Sequence, residues 1–366
     1  MKKNILIIDD SALMRRVLSD IINSDNRFQA VDSAVNGLEG LQILLTKAKE
    51  YDAVLLDINM PRMSGIEMLE QLKINHIKTK VIIVSTIAKK DAKETIRALE
   101  LGAFDFVTKP ESYLDFKNNV FTNRLLDCLV IATKVEAKKN VEKTLDNIVI
   151  ESSKVIVKEE PKRKIVPPQS SKNLNKLIAI ACSTGGPKAL HTVIPKLPKD
   201  LDASVLIVQH MPAGFTKSLA DRLNELSAVT VKEGEDGEYI QKGTVYIAKG
   251  GSQMRLNSNE NGQNYLSITV EPARHGLLPC ADIMDESLEE INIDQITCVV
   301  LTGMGGDGTA GISKICKKQN IHVIAQNEET SIVYGMPKVI KEAGLADEVV
   351  ALSDISDAII KNVGVC

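Results

Sequence analysis

Short β-branched runs alternate with amphipathic helical patterns twice along this chain, and a lysine- and proline-rich interval separates the two stretches. Strands that alternate with helices imply a parallel sheet wound by helices on both faces. In the first stretch, residues 5–8, 54–56, 81–84 and 104–107 read as buried strands, with a weaker strand at 29–34. Residues 11–23, 37–49, 65–74 and 91–101 carry helical periodicity between them. These units predict a five-stranded, doubly wound parallel sheet within residues 1–134. From Leu177 the rhythm resumes, with strands expected at 177–181, 204–209, 298–301 and 322–325. Shorter runs between 229 and 270, such as 244–248 and 265–270, read as antiparallel hairpins grafted onto an otherwise parallel, doubly wound α/β domain over 176–366. Residues 135–175 read as a linker, because Lys138, Lys139, Lys143, Lys154, Lys158 and Lys162 stud it and Pro161, Pro167 and Pro168 crowd its second half.

A length of 366 residues agrees with two domains, since single cores stop growing below that size. Formal net charge is −3, which gives no broad attraction to nucleic acid. No run approaches the ~18 apolar residues of a membrane span, and the apolar run after Met1 is too short for a secretion signal. The expectation is a cytoplasmic protein without direct membrane insertion. Cys128, Cys182, Cys280, Cys298, Cys316 and Cys366 show no C-x-x-C pair, so they read as free thiols and not as a zinc site.

Two constellations carry chemistry. Asp9 and Asp10 follow the first expected strand, Asp57 the third, Ser85 ends the fourth and Lys109 follows the fifth. The carboxyl ends of parallel strands face one crevice, so these side chains should converge there. Crowded carboxylates need a shared cation, and Mg²⁺ suits them. In the second half, Ser183 follows a strand in Cys182-Ser183-Thr184-Gly185-Gly186-Pro187, His210 ends the next strand, and Asp307 lies in Gly303-Met304-Gly305-Gly306-Asp307-Gly308. Serine, histidine and aspartate are what acyl transfer requires. Each also has a structural reading: Ser183 as a turn residue or helix cap, His210 as a satisfied strand-end histidine. His275, in an irregular polar loop, competes as base. The serine segment departs from the Gly-x-Ser-x-Gly elbow at Ala181. Gly303–Gly308 also spells a dinucleotide fingerprint with Glu328 some twenty residues on, but Asp307 would repel a pyrophosphate.

Ile8-Asp9-Asp10-Ser11, Leu56-Asp57-Ile58-Asn59-Met60-Pro61, Val84-Ser85-Thr86 and Lys109-Pro110 resemble response-regulator receiver domains. The resemblance implies that Asp57 is phosphorylated, that Asp9, Asp10, Asp57 and the Asn59 carbonyl hold Mg²⁺, and that Ser85 and Lys109 contact the phosphoryl group. It also places Phe106 as the aromatic switch. The three segments around Ser183, His210 and Gly303–Gly308 are similar to those of the chemotaxis protein-glutamate methylesterase family, CheB, which shares the order receiver, linker, esterase. This similarity implies Ser183 as nucleophile, His210 as general base and acid, Asp307 as orienting carboxylate, the Met304 N–H as oxyanion donor and Thr184 at the site. Hydrolysis of glutamate γ-methyl esters on the cytoplasmic domains of chemoreceptors is expected, with glutamine deamidation as a second reaction on the same path. A chemotaxis histidine kinase is the expected phosphodonor, the esterase is expected to need no cofactor, and the unphosphorylated receiver is expected to cover the Ser183 crevice. Leu278-Pro279-Cys280-Ala281-Asp282 departs from the family, which more often shows Ser and Val after the proline. A serine hydrolase of another substrate, a non-catalytic scaffold and a DNA-binding regulator are the competing classes; the second half is too long and too rich in βα units for the last.

Overall fold

Ile5, Leu6, Ile7 and Ile8 are all buried, although successive side chains of a strand point to opposite faces. Such a run needs a sheet covered on both sides. It lies in β1 (Lys3–Ile8), followed in chain order by β2 (Phe28–Ala34), β3 (Ala53–Leu56), β4 (Val81–Ser85) and β5 (Asp105–Thr108). The sheet runs β2-β1-β3-β4-β5 and every pairing is parallel. The helices are α1 (Ala12–Ser24), α2 (Gly37–Lys47), α3 (Gly65–Ile74), α4 (Lys89–Leu101) and α5 (Val120–Thr133). Local chemistry sets their starts. Ser11 and Asn36 accept from Met14 N and Glu39 N, and Ser64 forms a reciprocal capping box with Glu67. Gly102, at φ 112°, closes α4 in the left-handed region. The sequence reading does not assign α5, whose buried Phe121, Leu125, Cys128 and Leu129 pack inward.

This computed structural model describes residues 1–86, 88–110, 119–135 and 176–365. From residue 136 onward the expected linker lies outside the described residues. Two compact units are present. Residues up to 135 form the first together with Thr184–Thr192 and Met211–Leu226; the rest of 176–365 forms the second.

The larger sheet collects β6 (Lys176–Cys182), β7 (Ser204–Gln209), β8 (Thr230–Glu233), β9 (Thr244–Ile247), β12 (Gln295–Val300), β13 (Ile321–Gln326) and β14 (Glu348–Val350). Their order is β14-β13-β12-β6-β7-β9-β8, parallel throughout. Only β10 (Gln253–Ser258) and β11 (Asn264–Thr269) form the expected antiparallel hairpin. The run around 244–248 is therefore not hairpin: as β9 it pairs in parallel with β7 and β8 and extends the main sheet. The remaining helices are α6 (Gly186–Val193) and α7 (Phe215–Leu226), which but for Val193 fall in the first unit, and α8 (Ala281–Ser287), α9 (Thr309–Ile315), α10 (Met336–Glu342) and α11 (Ile355–Val363), which fall in the second. Leu177, Leu206, Tyr246, Met284, Ile312 and Met336 belong to one buried core that joins strands and helices of the second unit. β6 is flanked by β7 on one side and β12 on the other, so the winding reverses at β6 and opens a crevice beyond its carboxyl end.

In the first unit the approach of α3 to β3 depends on one glycine. A Cβ added at Gly65 would lie 2.3 Å from the Asp57 carbonyl oxygen. Gly65→Ala must push helix or strand apart, and we expect urea unfolding of the full chain to show a loss of about 1–3 kcal/mol. An unchanged unfolding midpoint would show that α3 yields freely.

Candidate functional site

Asp9, Asp10, Asp57, Ser85 and Lys109 stand at the carboxyl edge of the first sheet. One oxygen from each of Asp9, Asp10 and Asp57 lies within 4.8 Å of the others. Lys109 Nζ bridges the two buried acids, 2.9 Å from Asp9 Oδ2 and 3.0 Å from Asp57 Oδ1. Burial pushes the Asp57 carboxyl up, Lys109 opposes the rise and Asp9 adds to it, leaving the group at about 6. Against the same burial, the two carboxylates hold Lys109 above its ordinary range. Three hard oxygen donors, two of them sharing one ammonium, are a set that a small dication fits. Ser85 is buried, and its hydroxyl meets Thr95 Oγ1 at 3.0 Å instead of Asp57. The Asn59 side chain donates to Asp91 Oδ1 at 2.8 Å, and the Thr86 hydroxyl donates to Asp91 Oδ2. Asp91 had no sequence signal beyond its place in the first turn of α4. Phe106 is buried and stacks on Phe215 of the same unit, centroids 4.6 Å apart.

At the carboxyl edge of the larger sheet, the backbone of Ser183 is fixed by its N–H, which donates to Thr302 O at 3.0 Å. A Cβ at Gly303 would lie 2.8 Å from Ser183 Cβ and 2.4 Å from Met336 Sδ, so the glycine-rich turn can rest on the serine only without a side chain there. Gly303 O accepts from Gly335 N and Met336 N at 3.1 and 2.8 Å, which pins that turn. Met304 N–H meets no acceptor among the described residues. His210 N donates to Cys182 O at 3.1 Å, and the ring Nε2 lies 2.7 Å from Asp307 Oδ2. Ring Nδ1 makes no hydrogen bond among the described residues, and none is formed between Ser183 and His210. Buried Gln209 ties the two strand ends together: its Nε2 donates to Ser183 O at 3.0 Å and His210 O at 3.2 Å. Its place directly before His210 was the only sequence signal. Thr184 is buried, and its hydroxyl donates to Asp105 Oδ2 at 2.9 Å within the first unit.

Asp307 meets four donors. Oδ2 accepts from His210 and from Ala281 N at 2.6 Å; Oδ1 accepts from Asp282 N at 3.0 Å and Cys280 Sγ at 3.1 Å. Burial alone would raise its carboxyl, but His210 and the Asp282 and Ala281 N–H groups outweigh it and hold the group at about 2. Asp282 returns the arrangement, accepting from Gly308 N at 3.0 Å and Gly311 N at 2.7 Å. Those donations use N–H groups that a dinucleotide turn would offer to phosphate, which counts against the fingerprint reading. His275 is exposed with φ +54°, and among the described residues it is His210 that meets Asp307. Cys182 is no rival nucleophile: it is buried, its thiol meets Gln209 Oε1 at 3.1 Å, and burial pushes its titration well up.

The two sheets and their edges define a class, an aspartate receiver joined to an α/β fold that brings a serine, a histidine and an aspartate to one crevice. Residues 178–359 match the CheB methylesterase family and residues 5–120 the response regulator receiver domain. The chain is 39% identical over 362 residues to the protein-glutamate methylesterase/protein-glutamine glutaminase 1 of Syntrophomonas wolfei, covering 98% of this chain and 99% of that one. It is 40% identical over 362 residues to the Bacillus subtilis protein-glutamate methylesterase/protein-glutamine glutaminase, covering 97% of each. The Thermotoga maritima CheB methylesterase catalytic domain matches with a TM-score of 0.50 and 42% identity, over 52% of this chain and 99% of that one. This chain belongs to the CheB methylesterase family.

The receiver geometry has a pH signature. Asp57 titrates at about 6 in the folded chain, against 3.8 for an ordinary aspartate. In that window the native state keeps a proton that the unfolded chain has lost, so rising pH erodes stability, fully so above about 6. Without divalent cations, Asp57→Asn should therefore raise unfolding stability by about 1–3 kcal/mol at about pH 7.5, and by little at about pH 4. Urea melts in EDTA at both values check this; an equal gain at both would remove charge as the cause.

Proposed function

We propose that this chain hydrolyses glutamate γ-methyl esters on the cytoplasmic domains of chemoreceptors, with Ser183, His210 and Asp307 as the working groups. The observation that carries the reading is the 2.7 Å His210–Asp307 contact at the strand edge where Ser183 also emerges. Ser183 Oγ attacks the ester carbonyl as His210 Nδ1 takes its proton, the two groups closing on each other once substrate is bound. Asp307, held ionised, stabilises the imidazolium that results. The free Met304 N–H receives the tetrahedral oxyanion. Methanol leaves with the proton from His210, and a water deprotonated by His210 then hydrolyses the acyl-enzyme. A glutamine side chain passes through the analogous tetrahedral species, with an amino group in place of methoxy, and releases ammonia to give the same acyl-enzyme, which is the deamidation named for the relatives.

Control resides in Asp57. It accepts a phosphoryl group, with a chemotaxis histidine kinase as donor, and the acyl phosphate raises the hydrolytic rate. Asp9, Asp10, Asp57 and the Asn59 carbonyl would hold a Mg²⁺, which would supply charge neutralisation for that transfer. Lys109 exchanges its carboxylate partner for the phosphoryl oxygens, and Ser85 and Phe106 follow as the switch. The receiver spans 1–134, the linker 135–175 and the methylesterase domain 176–366. No described helix is long and apolar enough to cross a membrane.

Methanol release from methylated receptor membranes tests this. Ser183→Ala should lower kcat by at least ~10³-fold. Asp57→Ala should keep the basal rate and lose stimulation by a small-molecule phosphodonor. Undiminished release by Ser183→Ala would sink the triad. No release from the wild type, once phosphorylation is confirmed, would leave a scaffold or a hydrolase of another substrate.

A further inference from the structure

We propose that Cys280 is a positioning residue of the reaction: its S–H, 3.1 Å from Asp307 Oδ1, sets how much negative charge the carboxylate presents to His210. The inference rests on the triad reading above. Of the four donors that Asp307 meets, His210 is the group being served, and two are backbone N–H groups that any sequence would supply at the start of α8. Cys280 is the donor whose strength the side chain decides. A thiol is a weak donor, so it satisfies the oxygen while drawing little charge from it.

The thiol is held for this role. Cys280 N donates to Gln253 Oε1 at 2.8 Å, and Gln253 Nε2 donates to Leu277 O at 3.1 Å, so a buried amide fixes the backbone from which the thiol projects. Both Cys280 and Gln253 are wholly buried. Burial, then the charge of Asp307, pushes the Cys280 thiol far up, so it keeps its proton and remains a donor. Its position under Asp307 and its burial keep it from substrate.

The charged neighbours are common to every variant considered. Asp282 and Asp285 of α8 lie behind Asp307, and both are pushed up by burial and by the carboxylates around them. Glu286 follows on the same helix and pairs with Arg274 at 2.6 and 2.9 Å. None of these contacts runs through the thiol.

The test is the pH dependence of kcat/KM for basal methanol release from methylated receptor membranes by the full chain. Cys280→Ser places a stronger donor on Oδ1, weakens the pull of Asp307 on the imidazolium, and should move the acid limb to lower pH. Cys280→Ala removes the donor and should move that limb to higher pH. Plateau kcat should change by about threefold to tenfold, the scale of one hydrogen bond, with KM unchanged. A packing role alone would alter stability and leave both limbs in place. Limbs that coincide with the wild type, or that move together, overturn the proposal while the Ser183 dependence of the rate stands. If Ser183→Ala retains the rate, the triad reading falls first and this inference with it.

Discussion

Asp307 and Asp282 exchange hydrogen bonds across two turns. The carboxylate of Asp307 receives the first N–H groups of α8, and the carboxylate of Asp282, inside α8, receives N–H groups at the start of α9. Both carboxyl groups are buried, where an unpaired charge would be costly, and each is matched by groups that the opposite helix would otherwise leave unpaired. His210 takes its orientation from Asp307, and the turn that ends in Asp307 also lies against Ser183 through Gly303. The crevice is thus organised from its acid outward.

The two sites treat a buried aspartate in opposite ways. Asp57 shares its surroundings with Asp9 and has one ammonium and one backbone N–H to answer burial, and it rises to about 6. Asp307 is also buried and stands near other acids, but donors close around both its oxygens and it falls to about 2. Burial has the same sign in both, and the number of donors decides the outcome. In the proposed scheme this difference is functional. A receiver acid short of partners is disposed to take up a cation and a phosphoryl group, whereas a saturated acid stays ionised beside its histidine.

Much of this was legible in the sequence. Parallel strands carry their ends to one edge, so Asp9, Asp57 and Lys109 could be brought together from their places after strand runs, as could Ser183 and His210. Strand direction was less legible. The run at 244–248 has the same periodicity in a hairpin as in a parallel strand, and only its neighbours β7 and β8 settle the matter. The Asp307 cradle was hidden for another reason. Cys280, Ala281 and Asp282 lie 25 to 27 residues before Asp307; the last two reach it through backbone N–H groups, which leave no trace in side-chain identity, and Cys280 through a thiol that reads as an ordinary buried cysteine. Gln209 was hidden by its neighbour, since a glutamine at a strand end reads as polar surface until its amide is found between two backbone carbonyls.

The helices that share the exchange, α8 and α9, have seven residues each. Segments so short do not persist in water, because nucleating a helix costs more than two turns return. Each is sustained by its packing in the core, through Met284 and Ile312 among others, and by a carboxylate lent in both directions. In the proposed scheme, a local opening that parted α8 from α9 would strip Asp307 of the donors that keep it ionised and so disturb His210 while the sheet beneath stayed whole.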